Sequence, residues 1–76
     1  MPAVCVYVRN RDLKVGAMLK ALAVETSGFP SVAGANNEFL EQNGYFEFTF
    51  PSEERADSFR EDVEIYLKRY TSFEPL

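Results

Sequence analysis

The stretch that most constrains this chain is residues 37–50, where Asn43-Gly44 stands between two segments rich in Phe. Asn-Gly between alternating runs is the strongest short-range signal for a β-hairpin, because a type I′ turn needs positive φ at both central residues. A two-residue turn fixes the register, so Gln42 is expected to face Tyr45, Leu40 to face Glu47 and Phe39 to face Phe48. One face of the hairpin then collects Phe39, Phe46, Phe48 and Phe50. The other collects Glu38, Leu40, Gln42, Tyr45, Glu47 and Thr49. The Phe face has to be covered, and the rest of the chain supplies the cover.

Upstream, residues 3–9 alternate, with Val4, Val6 and Val8 on one side and Cys5, Tyr7 and Arg9 on the other, as in a half-buried strand. Asn10 or Asp12 caps the helix expected over 13–27. Gly28 suits the left-handed position after that helix, with Phe29 folding back onto Val24 and Pro30 blocking continuation. The helix carries two apolar stripes. Val15, Met18, Leu19 and Leu22 form one; Leu13, Ala17, Ala21 and Val24 form another on nearly the opposite side. An ordinary surface helix shows one stripe, so two suggest burial on two sides, against the sheet and against a second helix or another chain. Residues 31–36 either extend the next strand, with Gly34 at a bulge, or form a loop.

After the hairpin, Ser52 is expected to cap a second helix, with Glu53 and Glu54 at the positive end of its dipole. Ala56, Phe59, Val63, Tyr66, Leu67 and Tyr70 are its core stripe, and Ile65 points away from it. Residues 70–73 leave room for a short last strand. The order is βαββα(β), an α+β fold of the ferredoxin-like kind: a two-layer sandwich in which two helices cover one face of an antiparallel sheet. The opposite face, with Tyr7, Arg9, Leu40, Tyr45 and Glu47, is left open and is the candidate partner-binding site.

Residues 6–10, Val-Tyr-Val-Arg-Asn, resemble the first-strand motif of the RNA-recognition motif family, and residues 43–50 resemble its third-strand octamer. The resemblance continues into residues 52–59. It implies a ferredoxin-like fold and base stacking on exposed aromatic residues, which here fall on Tyr7, Tyr45 and Glu47. The two tyrosines suit that role. Glu47 places a carboxylate where a ring is usual, Asn43 replaces a basic residue, and Arg11 replaces a leucine.

Length and charge set the remaining bounds. A chain of 76 residues is one domain, 1–76, and buries only roughly 60% of the surface its unfolded form exposes, so a partner or second copy would add to its stability. Net charge is −4. Arg9, Arg11, Lys14 and Lys20 crowd the first twenty residues, whereas residues 21–66 hold ten acids against Arg55 and Arg60. Such a chain is a poor general phosphate binder and suits a basic protein partner. The lone Cys5 makes no internal disulfide, and no leader or membrane-length apolar run is visible, so the expected setting is the cytoplasm.

Catalytic chemistry is sparse. The chain has no histidine, which excludes His-based triads and His metal sites. Cys5 has no base nearby in sequence. Glu38 and Glu47 would lie diagonally on the open hairpin face, too few carboxylates for a metal site. No glycine motif cradles a phosphate. The expectation is a non-catalytic binding module without cofactor or metal, acting as an adaptor, regulator or inhibitor through its open sheet face or acidic last helix. RNA or single-strand binding through Tyr7 and Tyr45 is the alternative. A homodimer through strand one or the second stripe of helix one is also expected. With so short a tail after the last helix, strand one keeps an unpaired edge.

Overall fold

The computed structural model describes residues 2–27 and 37–76. Strand β1 (Ala3–Val8) leads through a 3₁₀ turn, Arg9–Arg11, into helix α1 (Leu13–Ser27). Then come helix α2 (Asn37–Asn43), strand β2 (Tyr45–Thr49), helix α3 (Glu53–Leu67) and the two-residue strand β3 (Thr71–Ser72). The sheet is antiparallel in the order β2-β1-β3, so the first strand of the chain is its centre.

The hairpin is not formed. Its intended first arm is α2, so the ferredoxin-like arrangement lacks the strand that arm would supply, and the described residues form an α+β domain of three strands and three helices. The reason lies in the residues. Glu38, Leu40, Glu41 and Gln42 are strong helix formers, and Glu is depleted in strands. Gln42 Nε2 donates to Glu38 Oε1 at 3.3 Å, a pairing one helical turn apart. Gly44 does adopt positive φ, +79°, but as the residue that ends a helix. Its N–H donates to the Leu40 carbonyl at 2.7 Å, the single bond of a left-handed helix end. Asn43 Nδ2 also donates to the Phe39 carbonyl at 3.0 Å, and the Arg11 guanidinium donates to the carbonyl of Glu41, one of those otherwise orphaned at this end.

The core lies between one sheet face and α1 with α3. Val4, Val6 and Val8 of β1 and Phe46, Phe48 and Phe50 of the β2 segment are buried, as their alternation requires. Phe59 from α3 closes onto Phe48 and Phe50, with ring centroids 5.1 and 4.9 Å apart. Ala56, Val63 and Leu67 complete the buried side of α3, and Val15, Leu19 and Ala23 that of α1. Gly16 allows α1 to come close to the sheet, because a Cβ there would stand 2.8 Å from Phe46 Cε2.

The caps are local. Asp12 Oδ1 accepts from the Lys14 amide at 2.8 Å and so starts α1. Ser52 Oγ accepts from the Arg55 amide at 3.2 Å and starts α3. Asn10 and Arg11 both take positive φ, 58° and 51°, so the chain turns from β1 into α1 within four residues without glycine. The expected end of α1 at Gly28, Phe29 and Pro30, and the stretch 31–36, lie outside the described residues.

Three further expectations are corrected. Phe39 is half-buried and outside the Phe core. Met18, assigned to the sheet-facing stripe, is 50% exposed. Tyr66 and Tyr70, assigned to the core stripe, are 65% and 51% exposed. The side of α3 that meets the sheet and α1 is narrower than the full apolar stripe, and Tyr66 at its margin keeps its hydroxyl in water, whereas Tyr70 lies beyond the end of α3 at Leu67, where helical periodicity no longer sets its direction. Ile65 is exposed as expected.

Candidate functional site on the open sheet face

The sheet face away from α1 and α3 carries Cys5 and Tyr7 from β1 and Tyr45, Glu47 and Thr49 from β2, all half-buried. Pairing puts Tyr7 opposite Tyr45 and Cys5 opposite Glu47. Val8 donates its N–H to Gly44, and Phe50 to Pro2. The even-numbered residues of β1 therefore hold the ladder bonds to β2, and Tyr7–Tyr45 is a non-hydrogen-bonded pair. In that register side chains stand closest. The two phenol rings accordingly meet at 4.9 Å between centroids, tilted by 42°.

A third ring joins them. Phe39 of α2 meets Tyr45 edge-on, 5.2 Å between centroids with a 90° interplanar angle. Its chain neighbour Leu40 turns the other way and is fully buried near Gly16 and Phe46. Helix α2 thus lies beside β2 with one residue in the core and the next on the open face. Leu40 therefore leaves the candidate site and Phe39 enters it. The exchange follows from reading a helix as a strand: alternation set the two on opposite faces, but with the faces interchanged. A cue was present in the i, i+4 spacing of Glu38 and Gln42.

Tyr7, Tyr45 and Glu47 are brought together as expected. Arg9 is exposed in the 3₁₀ turn beyond the end of β1, where strand alternation no longer sets its direction. Its amide donates to the Tyr70 carbonyl at 2.9 Å, which ties that turn to the end of α3. Glu38 is exposed on α2, so it does not lie beside Glu47 in the diagonal relation a hairpin would create.

Cys5 lies on the Tyr7 side of its strand as expected, but its contact with Glu47 was not foreseen. Its Sγ donates to Glu47 Oε2 at 3.7 Å. Burial, then the charge of Glu47, then this hydrogen bond push the thiol pKa above its ordinary value. All three favour the protonated form. The thiol therefore behaves as a neutral hydrogen-bond donor that orients Glu47, and is poorly suited to nucleophilic attack. No group of three or more His, Cys, Asp or Glu side chains suited to a metal ion occurs among the described residues. No helix among them is long and apolar enough to cross a membrane.

The chemical character of the face is an aromatic platform with a carboxylate beside it. The ring faces attract cations through their quadrupoles, and Glu47 adds a full charge of the same preference. No family model, curated protein or solved structure matches the chain.

Proposed function

We propose that the chain is a non-catalytic protein-binding module that docks a basic surface of a cytoplasmic partner through the open face of its sheet, as an adaptor, regulator or inhibitor. The observation that carries this reading is the Tyr7–Tyr45–Phe39 cluster with Glu47 beside it, on the one sheet face the helix pair leaves uncovered. Tyrosine on a rigid strand gives large contact area at small entropic cost and is enriched at interface hot spots. A partner arginine stacked on the rings would also reach Glu47. The net charge of −4 favours the same class of partner.

The test is capture from the native host with the parent chain and with Tyr7→Ser/Tyr45→Ser, once circular dichroism has established that the variant is folded. Loss of the captured partner by the folded variant supports the reading. Undiminished capture removes this face from consideration.

RNA binding is the second reading. Both aromatic positions assigned to base stacking by the family resemblance stand side by side on the uncovered face. Glu47 on the same face opposes phosphate. Titration with mixed-sequence RNA at low salt separates the two, since binding abolished by the same tyrosine substitutions favours RNA.

Self-association is proposed on a separate observation. On its β3 side, β1 is paired only at Tyr7 and Val8, so among the described residues the rest of that edge has no strand beside it. Such an edge is a template for strand addition. Ser72 Oγ accepts from the Glu74 amide at 3.1 Å and turns the chain away, while Phe73 packs partly buried against the core. Sedimentation at micromolar concentration decides the parent state, and a clean 8.7 kDa monomer refutes the dimer.

A further inference from the structure

The outer surface of the helix layer, on the other side of the molecule from Tyr7 and Tyr45, carries a groove between α1 and α3. The helices run in opposite directions. Arg55 near the start of α3 donates to the Thr26 carbonyl near the end of α1 at 2.6 Å, and Met18, earlier in α1, lines the same groove as Tyr66, late in α3. Met18, Ala21, Leu22 and Tyr66 form its apolar part, which holds about 430 Å³ and is bounded by Glu25 and Asp62. Past those two acids it opens into a hollow of about 290 Å³ that adds Glu54. The groove is therefore graded, apolar at one end and acidic at the other. One cation, Arg55, lines the acidic end as well, donating to the Thr26 carbonyl, and the carboxylates of Glu25, Glu54 and Asp62 outnumber it. Among the described residues none of Glu25, Glu54 and Asp62 is in an ion pair; the one found there joins Arg60 to Asp57.

We infer that this groove is a second docking site, and that its occupant is an amphipathic, lysine- or arginine-bearing helix of a partner protein. Its apolar side chains would seat on Met18, Ala21, Leu22 and Tyr66. Its basic residues would reach Glu25, Glu54 and Asp62. A groove between two antiparallel helices matches the ridge of a third, so a helix fits it in the helix-in-groove mode. The charge gradient chooses among occupants. Phosphate-bearing nucleic acid is repelled by the three carboxylates. A second copy of this chain in a two-fold pairing presents the same patch to itself and sets acid against acid. A basic amphipathic helix complements both ends. This site is independent of the sheet-face reading, and each stands if the other fails.

The probe is a synthetic leucine–lysine amphipathic helix titrated into the full chain, read by amide chemical shifts. A leucine–glutamate helix with the same apolar face is the control. Shifts are expected at Ala21, Leu22, Glu25, Asp62 and Tyr66 and not at Cys5, Tyr7 or Tyr45. Glu25→Lys/Asp62→Lys should weaken the lysine peptide by about tenfold, since each contact made and then reversed is a solvent-accessible charge pair. It should also turn preference toward the glutamate peptide. Met18→Ser should weaken both peptides. Met18 and Glu25 are exposed and Asp62 half-buried, and a melting curve checks that each variant is folded. Shifts centred on Tyr7 and Tyr45, undiminished affinity in the charge-reversed variant, or self-association through the groove residues without peptide would each overturn the inference.

Discussion

Replacing Gly16 by alanine sets two effects of known sign against each other. Within a helix, alanine is favoured over glycine by about 1 kcal/mol, so on propensity alone the change should stabilise α1. The packing opposes it. The new Cβ would stand 2.8 Å from Phe46 Cε2, 3.1 Å from its Cζ and 3.4 Å from Leu40 Cδ2. The Phe46 ring has little room to yield: it is fully buried, faces Phe48 at 5.8 Å and has the Lys20 ammonium 5.4 Å from its centroid. Overpacking a filled core costs about 1–3 kcal/mol. The expected sum is a net loss of about 1 kcal/mol, which in a domain of this size lowers the melting temperature by roughly 4–8 °C. Urea denaturation should show a lower midpoint at unchanged slope. In a Phe46→Leu background the ring is gone, the propensity gain should reappear, and Gly16→Ala should become neutral or stabilising. A stabilised single variant, with no coupling to position 46, would refute the close approach of α1 to the sheet.

Two further outcomes follow from the same packing and from the open face. Phe48→Ala removes a ring packed against Phe46 and Phe59 in the centre of the core and should cost about 3–5 kcal/mol, enough to unfold a small domain; a variant melting within a few degrees of the parent would contradict the burial of β2. The raised Cys5 pKa keeps the thiol protonated at pH values where an ordinary cysteine begins to ionise, so alkylation should be slow and should rise at higher pH than for a free thiol. Glu47→Gln removes the charge that disfavours the thiolate, and should move that rise to lower pH; an unchanged profile would show that the pair does not interact.

The alternating valines of β1, the three phenylalanines of the β2 segment and the Asp12 and Ser52 caps were legible because each depends on neighbours in sequence. Asn43-Gly44 misled because a glycine with positive φ serves two purposes, closing a hairpin or ending a helix, and the dipeptide alone does not distinguish them. What decided was the composition of 37–43, whose helix formers outweigh the single Phe39 in the scale of strand preference. Tyr70 was misplaced because α3 ends at Leu67, three residues before it, and Tyr66 for another reason. Periodicity gives the centre of an apolar stripe, not its width, and the width depends on how closely α1 lies alongside, which is a tertiary fact. Of the candidate site, Tyr7, Tyr45 and Glu47 followed from parity along their strands. Phe39 and Leu40 changed places with the change of element, and Cys5 gained its role only from the strand opposite.

The central position of β1 bears on how the chain reaches its fold. Its pairing partners are remote: Cys5 meets Glu47 across 42 residues, and Tyr7 pairs with Ser72 near the other end of the sequence. The hydrogen bonds within α1 and α3 are local, but the sheet cannot begin until a long loop has closed, and closure must be won against chain entropy before any ladder bond rewards it. Folding should therefore be slower than for a helical bundle of the same length, with the valine-rich strand solvent-exposed in the interval. During synthesis that strand emerges before both of its partners, so its valines stay without their cover until the later strands and helices arrive.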